Sequence, residues 1–191
     1  MRFALMVLSL GLFTTSALAD GELAGLITNV DKERLSHFDE VKTAALAEAR
    51  AKGDPADVAV LDAALAGTPL PIEGDFDATG TWRCRTLKLG NLLPLVVYPS
   101  FKCVISDDGS GWMLKKVSGS QRTQGRFYTD NATRLVYLGA GTVNDDPPRK
   151  YGDEVKENQV AYVERLGEKR LVLQFPQPVY ESNFDLLVLE R

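Results

Sequence analysis

Beyond about residue 79 the apolar positions recur with a period of two, and turn signals interrupt the alternation. This pattern predicts eight strands, at 79–88, 94–105, 111–118, 121–128, 133–140, 158–164, 169–175 and 183–190. The breaks fall at Gly90-Asn91, Asp107-Asp108-Gly109, Gly119, Asp130-Asn131, Asp145-Asp146-Pro147-Pro148, Gly167 and Pro176 to Pro178. These residues supply positive or preset φ, or bond nearby backbone N–H groups. Strands joined in sequence by short turns form an antiparallel meander, and eight can close into a barrel that leaves no edge exposed. The 141–157 connection is much longer than the others, and long loops in compact domains often carry function.

Upstream the period is helical. Thr28, with Asp31 three residues on, opens a run in which Leu35, Phe38, Val41, Ala45 and Ala49 share one face until Gly53 stops it. Asp54 followed by Pro55 starts a second helix, with Val58, Leu61 and Leu65 on its apolar side and its end near Gly67. A helical hairpin of this size is marginal alone in water, so it is expected to cover apolar surface elsewhere. The division expected is a signal peptide over 1–19, a helical segment over 20–67 and a β domain over 68–191.

The first nineteen residues have the three parts of a secretory signal: Arg2, an apolar run from residue 3 to 13, and Ala17-Leu18-Ala19 as cleavage site. The run is shorter than the roughly 20 apolar residues that span a bilayer, although an uncleaved anchor is the alternative. Export to a bacterial periplasm, cleavage after Ala19 and a mature chain without a membrane span are therefore expected. That space is oxidising, and the chain holds two cysteines, Cys84 and Cys103, each in an alternating segment. One disulfide stapling neighbouring strands is expected. A reactive thiol pair is less well supported, because the Cys-x-x-Cys spacing is missing.

The composition excludes several classes. Twenty-two basic and 26 acidic residues give a formal charge of −4, with no basic run to neutralise phosphates, so nucleic acid is not an expected partner. The single histidine, His37, would have to serve any Ser-His-Asp triad, and a zinc site would lack its usual further ligands. The Asp107-Asp108 and Asp145-Asp146 pairs read as turn formers. Gly139-Ala140-Gly141 is followed by no helix, so it reads as a bend or bulge rather than a phosphate loop. Asn131-Ala132-Thr133 reads as a turn. No enzyme, metal or cofactor is expected.

Two resemblances extend this reading. Gly80-Thr81-Trp82 opens the first strand and Arg191 ends the last, which resembles the calycin and lipocalin pattern of a Trp closing one barrel end beneath an Arg. The Thr-Asp-Tyr triplet of that pattern is missing, and no helix follows the barrel strands. The set Trp82-Arg83-Cys84-Arg85-Thr86, Leu93 to Tyr98, Gly119 to Thr123, Leu135 to Gly141, Pro147-Pro148 and Tyr180-Glu181-Ser182 resembles the exported bacterial DUF4893 family. The fold class expected is thus mainly β within α+β, an eight-stranded antiparallel calycin-like barrel preceded by a helical hairpin.

Such a barrel either holds one small ligand or is filled by side chains. The first case implies a noncatalytic lipocalin-like carrier of a small, partly apolar or anionic-amphipathic ligand. The second implies an interaction or inhibitor module that engages an envelope protein. Candidate ligand-binding residues are Tyr98, Arg122, Arg126, Tyr137, Asn144, Arg149 and Tyr151, with Trp82 and Arg191 structural. Arg122 and Arg126 lie on one strand face; outward is favoured for that face, because burying two unpaired charges is costly. For the interaction module the expected contact surface is the long loop, with Asn144, Asp145, Asp146, Arg149 and Tyr151 exposed.

Overall fold

The computed structural model describes residues 19–191 except 73, 75 and 145. The expected signal peptide thus lies almost wholly outside the described residues, as does Asp145. Helices α1 (Ala19–Leu26), α2 (Asn29–Ser36), α3 (Phe38–Lys52) and α4 (Pro55–Leu65) precede the strands β1 (Gly80–Gly90), β2 (Leu93–Asp107), β3 (Trp112–Lys116), β4 (Gln121–Asn131), β5 (Arg134–Val143), β6 (Asn158–Gly167), β7 (Arg170–Pro176) and β8 (Phe184–Glu190). A single 3₁₀ turn, Val155–Glu157, leads into β6.

All eight strands pair antiparallel with their sequence neighbours, and β8 pairs back on β1 from Arg83↔Glu190 to Leu89↔Phe184, which closes the barrel. The alternation fixes what points inward. Trp82, Cys84, Cys103, Ile105, Leu114, Phe127, Tyr137, Leu173, Phe175, Leu187 and Leu189 form one interior cluster. Several of these, including Trp82, Tyr137, Leu114 and Leu173, are less than 2% exposed, so side chains fill the lumen. The Cys84–Cys103 disulfide lies inside this core and ties β1 to β2, with its Cα atoms 5.8 Å apart.

A second apolar layer lies outside the wall. Leu87, Leu89, Val172, Phe184, Leu186 and Val188 face Phe38, Ala45, Ala49, Leu61 and Ala64 of α3 and α4. Val136, Leu138 and Val160 face Leu23, Ile27 and Leu35. Strands β5 to β8 and β1 are therefore covered on both faces, which explains the near-continuous apolar runs in β7 and β8.

The helical segment differs from the expected two-helix hairpin. The run beginning at Thr28, whose hydroxyl accepts from the Asp31 N–H at 3.2 Å, breaks at His37 before resuming as α3. Two anchors impose the bend. Asp31 is held by the 141–157 connection and β6, whereas Phe38 docks edge-on to Tyr162 at 4.8 Å and beside Phe184 at 5.7 Å. Gly139 is a second correction, because no bulge occurs there. It pairs regularly with Gly125, and a Cβ on Gly139 would lie 2.3 Å from the Tyr137 hydroxyl, so the missing side chain makes room for that ring.

Candidate functional site

The two barrel ends differ. At one end, formed by the β1–β2, β3–β4, β5–β6 and β7–β8 connections, the inward alternation continues past the apolar core into polar residues. Trp82 and Cys84 are followed in phase by Thr86 and Lys88, Leu114 by Lys116, Leu187 by Asp185, and Ala161 by Gln159. These side chains line two adjoining recesses of about 70 Å³ and about 130 Å³ above the core. Phe175 and Leu187 line the first, Phe101 and Tyr98 the second. A side groove of about 470 Å³ between β3, β4 and Pro147-Pro148 shares Lys116, Arg122 and Thr123 with the first recess.

Charge is unevenly matched there. Lys88 donates to Asp185 at 3.2 Å and lies 3.5 Å from Glu181. Burial raises the Asp185 carboxyl above the usual range, against the opposing effect of Lys88 and of the Ser182 hydroxyl. Lys116 is 7% exposed and has no carboxylate partner among the described residues. Its Nζ donates to the Gln121 carbonyl at 2.6 Å and sits 4.4 Å above the Phe101 ring. Burial, then the charges of Lys88 and Arg122, push its amine down to about 8. Arg122 likewise meets only a backbone acceptor, Gly119, at 2.9 Å. The buried Oε1 of Gln159 has no hydrogen-bond partner among the described residues.

The rim of this end is apolar. Leu92 and Leu93 are 72% and 57% exposed at the β1–β2 tip, and Val117, Val143, Val155, Val179 and Tyr180 are exposed around it. The only other exposed large apolar side chains among the described residues, Leu26 and Val30, lie on the helical segment. At the opposite end Arg191 lies 4.3 Å above the Trp82 ring and donates to the carbonyls of Thr79 and Asp77. The Trp82 indole N–H donates to Ala78 at 2.8 Å, so Trp82 is covered there, while a cleft of about 320 Å³ lined by Ile72, Trp112, Phe127 and Leu135 opens at the same end.

The remaining candidates scatter. Tyr98 and Arg122 reach the recesses, and Asn144 stands at the rim with φ +54°. Arg126 points outward and pairs with Asp108, whose carboxyl is held down to about 2 by that guanidinium. Tyr137 is core: it is fully buried, shares a 2.6 Å hydrogen bond with Thr123, and burial raises its phenol far above the ordinary value. The long loop is tied by side-chain contacts, with Asn144 and Asp146 exposed and Arg149 and Tyr151 half-buried. Arg149 pairs with Glu154 and Asp146, and its carbonyl accepts from Gln124. The Tyr151 hydroxyl donates to Asp31, which also accepts from Thr28, Arg34 and Asn158. Burial and that carboxylate push the Tyr151 phenol up to about 12.

Lys88, Lys116, Gln121 and Gln159 were not among the expected site residues. The signal for the two lysines was present: each continues the inward phase of an apolar strand with a charge at the strand's end. No curated protein and no solved structure matches the chain. The family described as Domain of unknown function (DUF4893) matches over residues 24–189, nearly the whole of the described chain, and this protein belongs to that family.

Proposed function

We propose that this protein is a noncatalytic binding module of the bacterial periplasm that docks an envelope protein at the open end of its barrel. The observation that carries this reading is the gathering of exposed apolar side chains, Leu92, Leu93, Val117, Val143, Val155, Val179 and Tyr180, at one end of a filled barrel. Contiguous exposed apolar surface is the mark of an interaction site. The recesses of about 70 Å³ and about 130 Å³ above the filled core fall short of the ~300 Å³ common for ligand sites. This disfavours the carrier of an apolar molecule and favours the interaction module, with a contact surface that joins Val143 and Val155 of the 141–157 loop to the other exposed rim residues. The cationic recess inside the rim suits a partner that presents an acidic group among apolar side chains. Periplasmic residence is supported by the signal-like first nineteen residues and by the disulfide.

The test is in-cell photo-crosslinking from position 93 at the rim and from position 169 in the β6–β7 turn at the Trp82 end. A discrete envelope-protein adduct is expected from position 93 alone and should weaken when Leu92 is changed to Ser. No adduct from position 93, or equal adducts from both ends, overturns the reading.

A further inference from the structure

The recess gives the docking end a specific chemistry. We propose that Lys116 and Arg122, in the recess that Gln159 borders, form a site for a carboxylate carried on a short apolar stem; the site rests on the reading of that end as the binding face.

Three observations bear on this site. First, the cations outnumber the anions: Lys88 is matched by Asp185 and Glu181, whereas among the described residues Lys116 meets the Gln121 carbonyl and the Phe101 ring, and Arg122 the Gly119 carbonyl, with no carboxylate on either. A buried ammonium without a counter-ion is costly, and its amine is already pushed down to about 8. An arriving anion relieves that cost, and Arg and Lys together supply both paired donors and a point charge. Second, the Gln159 amide, whose buried Oε1 lacks a partner, borders the same recess. That oxygen accepts and a carboxylate has no proton to give it, so it is met only by an N–H or O–H elsewhere on the ligand, and the carboxylate itself is left to Lys116 and Arg122. Third, the mouth already holds a carboxylate of its own. Glu181, in the left-handed region at φ +71°, lies 3.5 Å from Lys88 and accepts from the Gln121 amide at 3.2 Å. A side chain bearing a carboxylate on two methylenes therefore already fits beside the proposed site.

The walls and the size set the rest of the ligand. Phe175 and Leu187 flank the polar groups, so the stem next to the carboxylate is apolar. About 70 Å³ admits the head of a ligand and no more, so the remainder lies in the side groove or across the rim. The carboxylate belongs either to a free short-chain acid or to the acidic group of a docked protein.

Sodium butyrate, sodium phosphate and an apolar tripeptide with a free C-terminal carboxylate are the probes, titrated against the full chain while the Lys116 and Gln159 side-chain NMR signals are followed. Butyrate and tripeptide are expected to shift both signals in a saturable way and to raise the pKa of Lys116. A tighter tripeptide points to a docked protein, and equal affinities point to a free acid. Lys116→Met is expected to weaken butyrate at least tenfold, and Lys169→Met at the Trp82 end to leave it unchanged. In wild type, affinity should fall as pH rises through the Lys116 pKa, and in Lys116→Met it should not. Glu181→Gln, which removes one negative charge from the mouth and leaves Lys88 paired with Asp185 alone, is expected to tighten butyrate several-fold and keeps the test valid should Lys116→Met fold poorly. No shift with any probe, or phosphate binding tighter than both carboxylates, overturns the assignment. A position-93 adduct without butyrate binding removes this site and leaves the docking reading; butyrate binding without the adduct does the reverse.

Discussion

Replacing Lys116 with Met should make the protein more stable at neutral pH, and the gain should vanish on going to alkaline pH. The folded-state amine lies near 8 against an ordinary 10.5, a gap equivalent to roughly 3 kcal/mol against the charged form. Solvent reaching the open recess, together with the lost bond to the Gln121 carbonyl and the lost contact with Phe101, reduces the expected net gain to about 1–2 kcal/mol. The sign follows from proton counts. Between about pH 8 and pH 10.5 the unfolded chain keeps its Lys116 proton while the folded chain has released it, so wild-type stability rises with pH across that window. Below about 8 both states are protonated and the full destabilisation is present. Methionine carries no proton, so the variant lacks this rise and the two curves converge. Urea melts of both proteins from neutral pH to about pH 9.5, below the range where buried tyrosines intrude, measure the difference. Parallel curves would refute the claim that Lys116 is a desolvated cation.

Three further outcomes are expected. Cys84→Ser should lower stability by roughly 2–4 kcal/mol, since the bridge closes a 19-residue separation, and both thiols should resist alkylation in native protein purified from an oxidising compartment; quantitative labelling there counts against the staple. Asp31→Ala leaves Arg34 and the Tyr151 hydroxyl without their carboxylate and should cost about 3 kcal/mol, with hydrogen exchange rising in α2 and in 146–157 but not in β7 or β8. Deleting residues 183–191 opens the β1 edge and exposes Trp82, so its fluorescence should shift red and the cooperative urea transition should disappear, whereas Arg191→Ala should cost only about 1 kcal/mol.

The strands were legible because a closed barrel with a filled lumen makes period-two alternation the dominant signal. Each begins and ends within three residues of the pattern's limits, and the turn at Asp107 forms as its side-chain chemistry dictates, with Asp107 accepting from the Gly109 N–H at 2.8 Å. The bend at His37 was not legible, because it is set by partners in β6, β8 and the long connection and by nothing within the helix. Tyr137 looked like a binding residue because a tyrosine in a strand carries a polar tip, and only the Thr123 hydroxyl, four residues along β4 from its ladder partner Phe127, makes it a core residue. The recess was missed for a related reason. A lysine in a strand ordinarily reads as solvent-facing, and Lys88 and Lys116 declare themselves only once the phase of their strands is tied to Cys84 and Leu114.

The seam between β1 and β8 governs when this chain can fold. Its rungs join residues more than a hundred positions apart at the Arg83 end, where Glu190 is the partner, and α3 and α4 rest partly on Phe184, Leu186 and Val188. The helices therefore leave the ribosome long before the whole surface that receives them exists, and the barrel cannot close until β8 arrives. A chain built this way stays open throughout synthesis, with its loop-closure entropy settled in one late step.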